Sequence, residues 1–203
     1  MKRLFILLVA VIMLVVMSGC GARLSQLQME QTLSEFVTAL RVYDRQAMTK
    51  VLTEFPDKTP YVYLDDIFND EGYVELYQLL YADIQYRVVQ CEKNQMTVEF
   101  TMPDVQSMYV KVMGVVFQMA LSDPVLEQKL SENDANGSIL VREIMLSQVK
   151  QGQVPPTFTE SFTLEFIEKD GRIQIVCDDA VRTVMTGKFF LSKNATVMQT
   201  MTD

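Results

Sequence analysis

The chain has 203 residues, no histidine and a formal net charge of −8, from 18 basic and 26 acidic side chains. An acidic domain lacks the basic surface that supplies most nucleic-acid affinity, so we expect no nucleic-acid partner. Triad hydrolases use histidine as their base and zinc enzymes commonly use it as a ligand. Both classes are therefore disfavoured, and we expect no metal and no cofactor.

The first twenty residues have the pattern of a signal peptide. Lys2 and Arg3 precede an uncharged apolar run, Leu4–Met17, which is shorter than the roughly 20 residues of a transmembrane helix. The run ends in Met17-Ser18-Gly19-Cys20, which resembles the lipobox of bacterial lipoproteins. The resemblance implies cleavage before Cys20 and a diacylglyceryl thioether, with palmitate-type acyl chains, on that residue. An ordinary secretory signal with a chance cysteine is the alternative.

Cleavage would change both the charge and the location of the protein. Loss of two basic side chains leaves 16 against 26 acidic ones, a net charge of −10. Anionic headgroups repel such a domain, so acyl chains on Cys20 must hold it at the membrane. We expect a lipid-anchored protein on the extracytoplasmic face of the cell membrane. Gly21 is not the aspartate that marks inner-membrane retention in Gram-negative cells, so an outer-membrane location stays open in such a host.

Helical periodicity begins after a short tether at residues 20–25. Apolar residues recur at i, i+3, i+4 and i+7 from Leu33 to Leu40, which predicts an amphipathic helix. Asp44 is a good N-cap for a second helix. Residues 72–81 favour a third.

Two β-hairpins are predicted further along the chain. Residues 84–91 and 96–102 alternate apolar and polar side chains on either side of a short polar segment. The same alternation returns at 158–166 and 173–177. One face of the sheet is therefore expected to be buried and the other to be wet.

Helices are predicted between the two hairpins and after the second. Helical spacing of apolar residues runs from 105 to 119, and Pro124 is expected at the first position of a short helix. The polar stretch 132–138 contains an Asn-Gly pair and predicts a loop before another helix over 141–149. A closing helix is predicted over 179–185.

This order of elements resembles the NTF2-like (cystatin-like α+β) lipoproteins of Gram-positive bacteria, whose function is not established. Residues 36–47 are similar to the first two helices of that family, with Asp44 at the kink, and residues 162–175 to its final hairpin. The resemblance implies an α+β fold in which a curved antiparallel sheet packs on N-terminal helices as a cone, with an all-helical insertion between two hairpins. The implied organisation is a signal peptide at 1–19, a lipidated tether at 20–25, a domain at 26–187 with the insertion at 104–152, and a tail at 188–203.

The fold by itself implies no activity, because it hosts enzymes, binders and scaffolds. We expect a non-enzymatic module that binds a small apolar ligand or an envelope protein. The alternative is a cavity enzyme of the isomerase or dehydratase type, in which Tyr86 would act with Asp83 or Asp104. Core packing is the favoured role of Tyr86.

Sulfur-containing side chains supply two further candidates. Met108, Met113 and Met119 crowd the inserted helix and are candidates for a partner or pocket surface, because methionine-rich faces adapt to varied apolar partners. Core packing is the favoured role of these methionines. Cys91 and Cys177 could form a disulfide in an exported protein, or could serve as small buried hydrophobes, which we favour.

An acidic cluster lies near the middle of the chain. Its oxygen ligands would suit calcium, but the spacing is not that of an EF-hand, so a solvated acidic surface is favoured. The cluster comprises Asp65, Asp66, Asn69, Asp70 and Glu71.

Overall fold

The computed structural model describes residues 24–53, 70–132 and 134–189, and these residues form an α+β fold of seven helices and four strands. The expected signal peptide, Cys20, part of the acidic cluster (65–69) and most of the tail (190–203) lie outside the described residues. The elements in chain order are α1 (Gln26–Arg41), α2 (Arg45–Val51), α3 (Glu71–Tyr81), β1 (Gln85–Glu92), β2 (Gln95–Pro103), α4 (Val105–Ser122), α5 (Pro124–Glu132), α6 (Asp134–Lys150), β3 (Thr157–Lys169), β4 (Arg172–Ile175) and α7 (Asp179–Thr186).

The four strands form one open antiparallel sheet in the order β1-β2-β3-β4. Val98 of β2 pairs with Val88 of β1 on one side and with Phe162 of β3 on the other. The register of β1 shifts between Val88 and Gln90, so a bulge interrupts the alternation of that edge strand. Both predicted hairpins are confirmed.

The sheet has one buried and one more exposed face, as the period-two pattern predicts. Every second residue of β2 is buried from Met96 to Met102, and Phe162, Leu164 and Phe166 extend this apolar face onto β3. The opposite face carries threonine pairs, of which Thr101 and Thr159 share a hydrogen bond of 2.9 Å. The buried face and the buried row of α1 belong to one hydrophobic core.

The first two helices are separated at Tyr43 and Asp44, as the sequence predicts. Leu33, Phe36 and Leu40 of α1 have no exposed surface. The Asp44 side chain accepts a hydrogen bond of 3.1 Å from the amide of Ala47 and so caps α2. The kink between the two helices is thus confirmed.

Three buried tyrosines hold the end of α7. Tyr43 and Tyr77 are stacked with ring centroids 4.6 Å apart, and Tyr81 lies beside both. Burial is the main cause that raises the pKa of all three phenols well above the usual value, and the neighbouring phenols add to it. Their hydroxyls donate to the last carbonyls of α7: Tyr81 to Val184 at 2.8 Å, Tyr43 to Met185 at 3.1 Å and Tyr77 to Thr186 at 3.3 Å.

Two sequence predictions need correction. The loop expected at 132–138 is wrong, because α6 already begins at Asp134. The Asn-Gly pair lies inside α6 and does not form a turn. The Asn136 side chain donates a hydrogen bond of 2.8 Å to the carbonyl of Lys129, near the end of α5. The last strand ends at Ile175 rather than 177, because Asp178 caps α7 by accepting from the amide of Val181.

Candidate interaction site on helices α4 to α6

Helix α4 begins at a well-formed cap and buries one side. The Asp104 side chain accepts from the amide of Ser107 at 2.9 Å. One row of α4 is in the core, at spacings of three and four residues. Its members are Val105, Met108, Val112 and Val116.

A second apolar row of α4 faces solvent. Val110, Phe117 and Leu121 are 62%, 56% and 70% exposed, and the exposed Gly114 lies between them. The spacing of these four positions is i, i+4, i+7 and i+11, which is that of one face of a helix. We name these four residues the outer row. A soluble helix normally presents polar side chains on this side, so the outer row marks a candidate contact surface.

Helix α5 continues the apolar surface and has no fully buried side chain, although Leu130 packs against the core. Asp123 ends α4 and accepts from the amide of Val125, and Val125 itself is exposed. Among the described residues no single helix has the length and hydropathy of a membrane span. The pair α4 and α5 would meet those criteria together, but the two helices are bent by 119° at their junction.

Helix α6 is fixed to α3 by ion pairs. Arg142 pairs with Asp70 and, at 2.6 Å, with Glu143, while Lys150 pairs with Glu75 at 2.7 Å. Burial lowers the pKa of Arg142, but the hydrogen bond to Glu143 and the charge of Asp70 outweigh it, so the pKa is raised. The guanidinium therefore stays charged.

Gly72 provides the space for this clamp. A Cβ at that position would lie 2.7 Å from Nε of Arg142. An open, largely polar cleft of about 660 Å³ lies between α3 and α6, and both Arg142 and Lys150 line it. A smaller cleft of about 400 Å³ lies between α1 and α2.

The three candidate methionines do not form one surface. Met108 is in the core, Met113 is partly buried against it, and Met119 is exposed. Met108 therefore has the favoured core-packing role, and the three candidates do not share one exposed surface. The outer row contains no methionine, and the repeat from Val110 to Leu121 is the sequence signal that could have located it.

The two cysteines lie far apart and are thiols, not joined to each other. Cys91 is opposite Met96, Met96 is opposite Leu164, and Cys177 follows Ile175 on the far edge of the sheet. Three strand spacings put about 14 Å between the two cysteines. A disulfide needs roughly 4.4–6.8 Å between Cα atoms, so the disulfide alternative is not supported. Both cysteines are partly buried and pack against the core.

The residues considered for catalysis do not converge. Tyr86 is partly buried, with its ring 6.2 Å from that of Phe100. Asp83 is exposed beyond α3, and Asp104 is used as the cap of α4. The buried phenols of the core are instead Tyr43, Tyr77 and Tyr81, which the sequence did not single out. Their hydroxyls donate to helix carbonyls, which is a structural role.

The described part of the acidic cluster also has structural partners. Asp70 accepts from the amides of Gly72 and Tyr73 and caps α3, in addition to its ion pair with Arg142. Glu71 is exposed. Over residues 24–53, 70–132 and 134–189, no group of three or more His, Cys, Asp or Glu side chains is arranged to hold a metal ion.

No family model, no curated protein and no solved structure matches this chain.

Proposed function

We propose that this protein is a lipid-anchored module on the extracytoplasmic face of the cell membrane and that its function is to bind a partner, without turnover. The observation that carries the proposal is the outer row of α4, a solvent-facing apolar surface on an otherwise acidic protein. Exposed apolar surface of this kind is typical of interaction sites in soluble domains. The lipobox-like tetrad at Cys20 supports the location, with an outer membrane as the alternative in a Gram-negative host.

We further propose that the domain, residues 26–187, is an NTF2-like cone and that α4–α6 is its helical insertion. The position of these helices between two antiparallel hairpins supports this proposal. The space between sheet and helices contains fully buried side chains, including Tyr43, Tyr77 and Phe100. This filling favours binding on the surface of the insertion over binding of a small apolar ligand inside the cone.

The composition of the core favours binding over catalysis. Apart from tyrosine, the buried polar residues in the described part of the chain are Thr32 and Thr186, and neither is a general acid or base. A cavity enzyme of the isomerase or dehydratase type needs a titratable group beside its substrate, and the inward phenols already bond to carbonyls. The enzyme remains the second candidate.

A site-specific photo-cross-linker at position 117 tests the proposal in intact cells. We expect adducts with protein in the membrane fraction, because the side chain at 117 lies in the middle of the outer row. The matched control is the same cross-linker at Leu27, which is 75% exposed on α1 but outside the outer row. Equal or absent adducts at the two positions would contradict a docking role for α4.

A further inference from the structure

We infer that the partner of the outer row is a second copy of this chain, paired through α4 in antiparallel fashion about a two-fold axis at Gly114. This inference rests on the proposed docking role of α4 and names its occupant. A two-fold interface uses the same patch on both chains, so the patch must be complementary to itself. An uncharged apolar row with a small residue at its centre meets that requirement.

No contact within its own chain requires glycine at position 114. A Cβ at that position would have no atom within 4 Å, and the residue lies in the interior of an 18-residue helix. Glycine in a helix interior destabilises it by roughly 0.5–1 kcal/mol relative to alanine. Small residues at a helix crossing allow two backbones to approach closely. Close approach of a second α4 would account for this glycine.

The charge distribution favours a second copy over a membrane. The chain carries a net charge of −8, so most of its surface repels another copy. The outer row has no charged side chain, so two copies can approach each other there without this repulsion. Over the 18 residues of α4, the single charged side chain is Lys111, which lies about 90° around the helix from the centre of the outer row. A helix that lies in a bilayer surface usually has several basic side chains on its polar face, and α4 has one.

The area of the outer row predicts a weak dimer. With about 150–200 Å² for each large apolar side chain, the outer row and Val125 expose on the order of 500 Å² per chain. Two copies would bury on the order of 1,000 Å², which is at the low end of specific interfaces and typical of transient ones. Lipid anchors that confine both copies to one membrane would raise their effective concentration and promote pairing.

Native mass spectrometry of the full-length protein in detergent, over a dilution series, tests the inference. We expect a monomer–dimer equilibrium whose dissociation constant rises about a hundredfold or more in Phe117→Ser, since the change is made on both sides of the interface. Val154→Ser is the matched control, because Val154 is 66% exposed and lies outside α4. A monomer at every concentration, or a dimer that Phe117→Ser leaves unchanged, would overturn the inference.

A cysteine scan on membranes supplies a second readout. Gly114→Cys should form a disulfide-linked dimer under mild oxidation, because residues at a close antiparallel crossing meet the distance limit for a disulfide. Val154→Cys, at a position that is 66% exposed and lies outside α4, should not, and both variants retain the native cysteines. Adducts from position 117 with a different protein would overturn the inference and leave the docking role intact. Adducts with lipid alone would overturn both and identify the bilayer as the occupant.

Discussion

Gly187→Ala should destabilise the fold strongly, because this glycine joins the end of α7 to the start of α4. Its φ is +59°, in the left-handed region, and its carbonyl accepts from the amide of Val105 at 3.1 Å. A Cβ would lie 2.6 Å from the carbonyl oxygen of Pro103 and 2.6 Å from Cγ2 of Val105. The oxygen is backbone and cannot rotate away, so the chain itself must shift.

The expected magnitude has two parts. The left-handed conformation costs an alanine about 1–2 kcal/mol, and overpacking a closely packed site costs about 1–3 kcal/mol more. Gly187→Ala should therefore lower the free energy of unfolding by about 2–5 kcal/mol. Gly152→Ala measures the cost of the left-handed conformation alone, because Gly152 has a φ of +81° but a Cβ there would have no atom within 4 Å.

Urea denaturation followed by far-UV circular dichroism measures both variants against the parent protein. Gly187→Ala should have the lower midpoint. Its unfolding free energy should be at least about 1 kcal/mol below that of Gly152→Ala, because only Gly187→Ala adds the cost of overpacking. That difference corresponds to a melting temperature lower by about 2–4 °C for a domain of this size. Equal midpoints for the two variants would refute the close approach between Gly187 and the Pro103 carbonyl.

Three further predictions concern the core and the α3–α6 clamp. Tyr81→Phe leaves the carbonyl of Val184 without its hydroxyl donor and should destabilise the protein by about 1–3 kcal/mol in the same denaturation assay; a change below about 0.5 kcal/mol would contradict it. The pKa values of the three buried tyrosines are raised in the folded state, so their contribution is intact below the unfolded value near 10 and is lost as pH rises above it. Stability measured above pH 10 should fall by up to about 1.4 kcal/mol per pH unit for each such tyrosine, and a flat profile would contradict this. In a double-mutant cycle, Arg142→Met and Asp70→Asn should couple by about 1 kcal/mol, whereas additive effects would show that the ion pair contributes nothing.

Local signals in the sequence located most of the elements. Asp44 is the predicted cap of α2, and it accepts the expected hydrogen bond from the Ala47 amide because capping geometry depends only on neighbouring residues. The buried alternation of β2 is likewise a property of consecutive residues. The Asn136-Gly137 pair wrongly predicted a loop. The Asn136 side chain instead donates a hydrogen bond to the carbonyl of Lys129, from a position inside α6.

The features that the sequence could not predict depend on contacts between residues far apart in the chain. The tyrosine cluster joins Tyr43 to Tyr77 and both to carbonyls more than a hundred residues away, a pairing that no local pattern contains. The spacing of the outer row shows in the sequence that its residues lie on one face of a helix. Spacing alone does not show which face of that helix the core covers, because other apolar residues, such as Met113 and Met119, lie on the same helix. Only the packing of α4 against α6 separates the buried row from the exposed one.

Attachment of lipid to Cys20 is the claim on which the proposed location depends, and metabolic labelling with an alkyne-bearing fatty acid tests it most directly. The parent chain should be labelled and should partition with the membrane, whereas Cys20→Ala should lose the label and accumulate as the uncleaved precursor. Cys91→Ala is the matched control and should be labelled as the parent is, because Cys91 lies on β1 within the domain. Undiminished label on Cys20→Ala would contradict a lipid anchor at that residue.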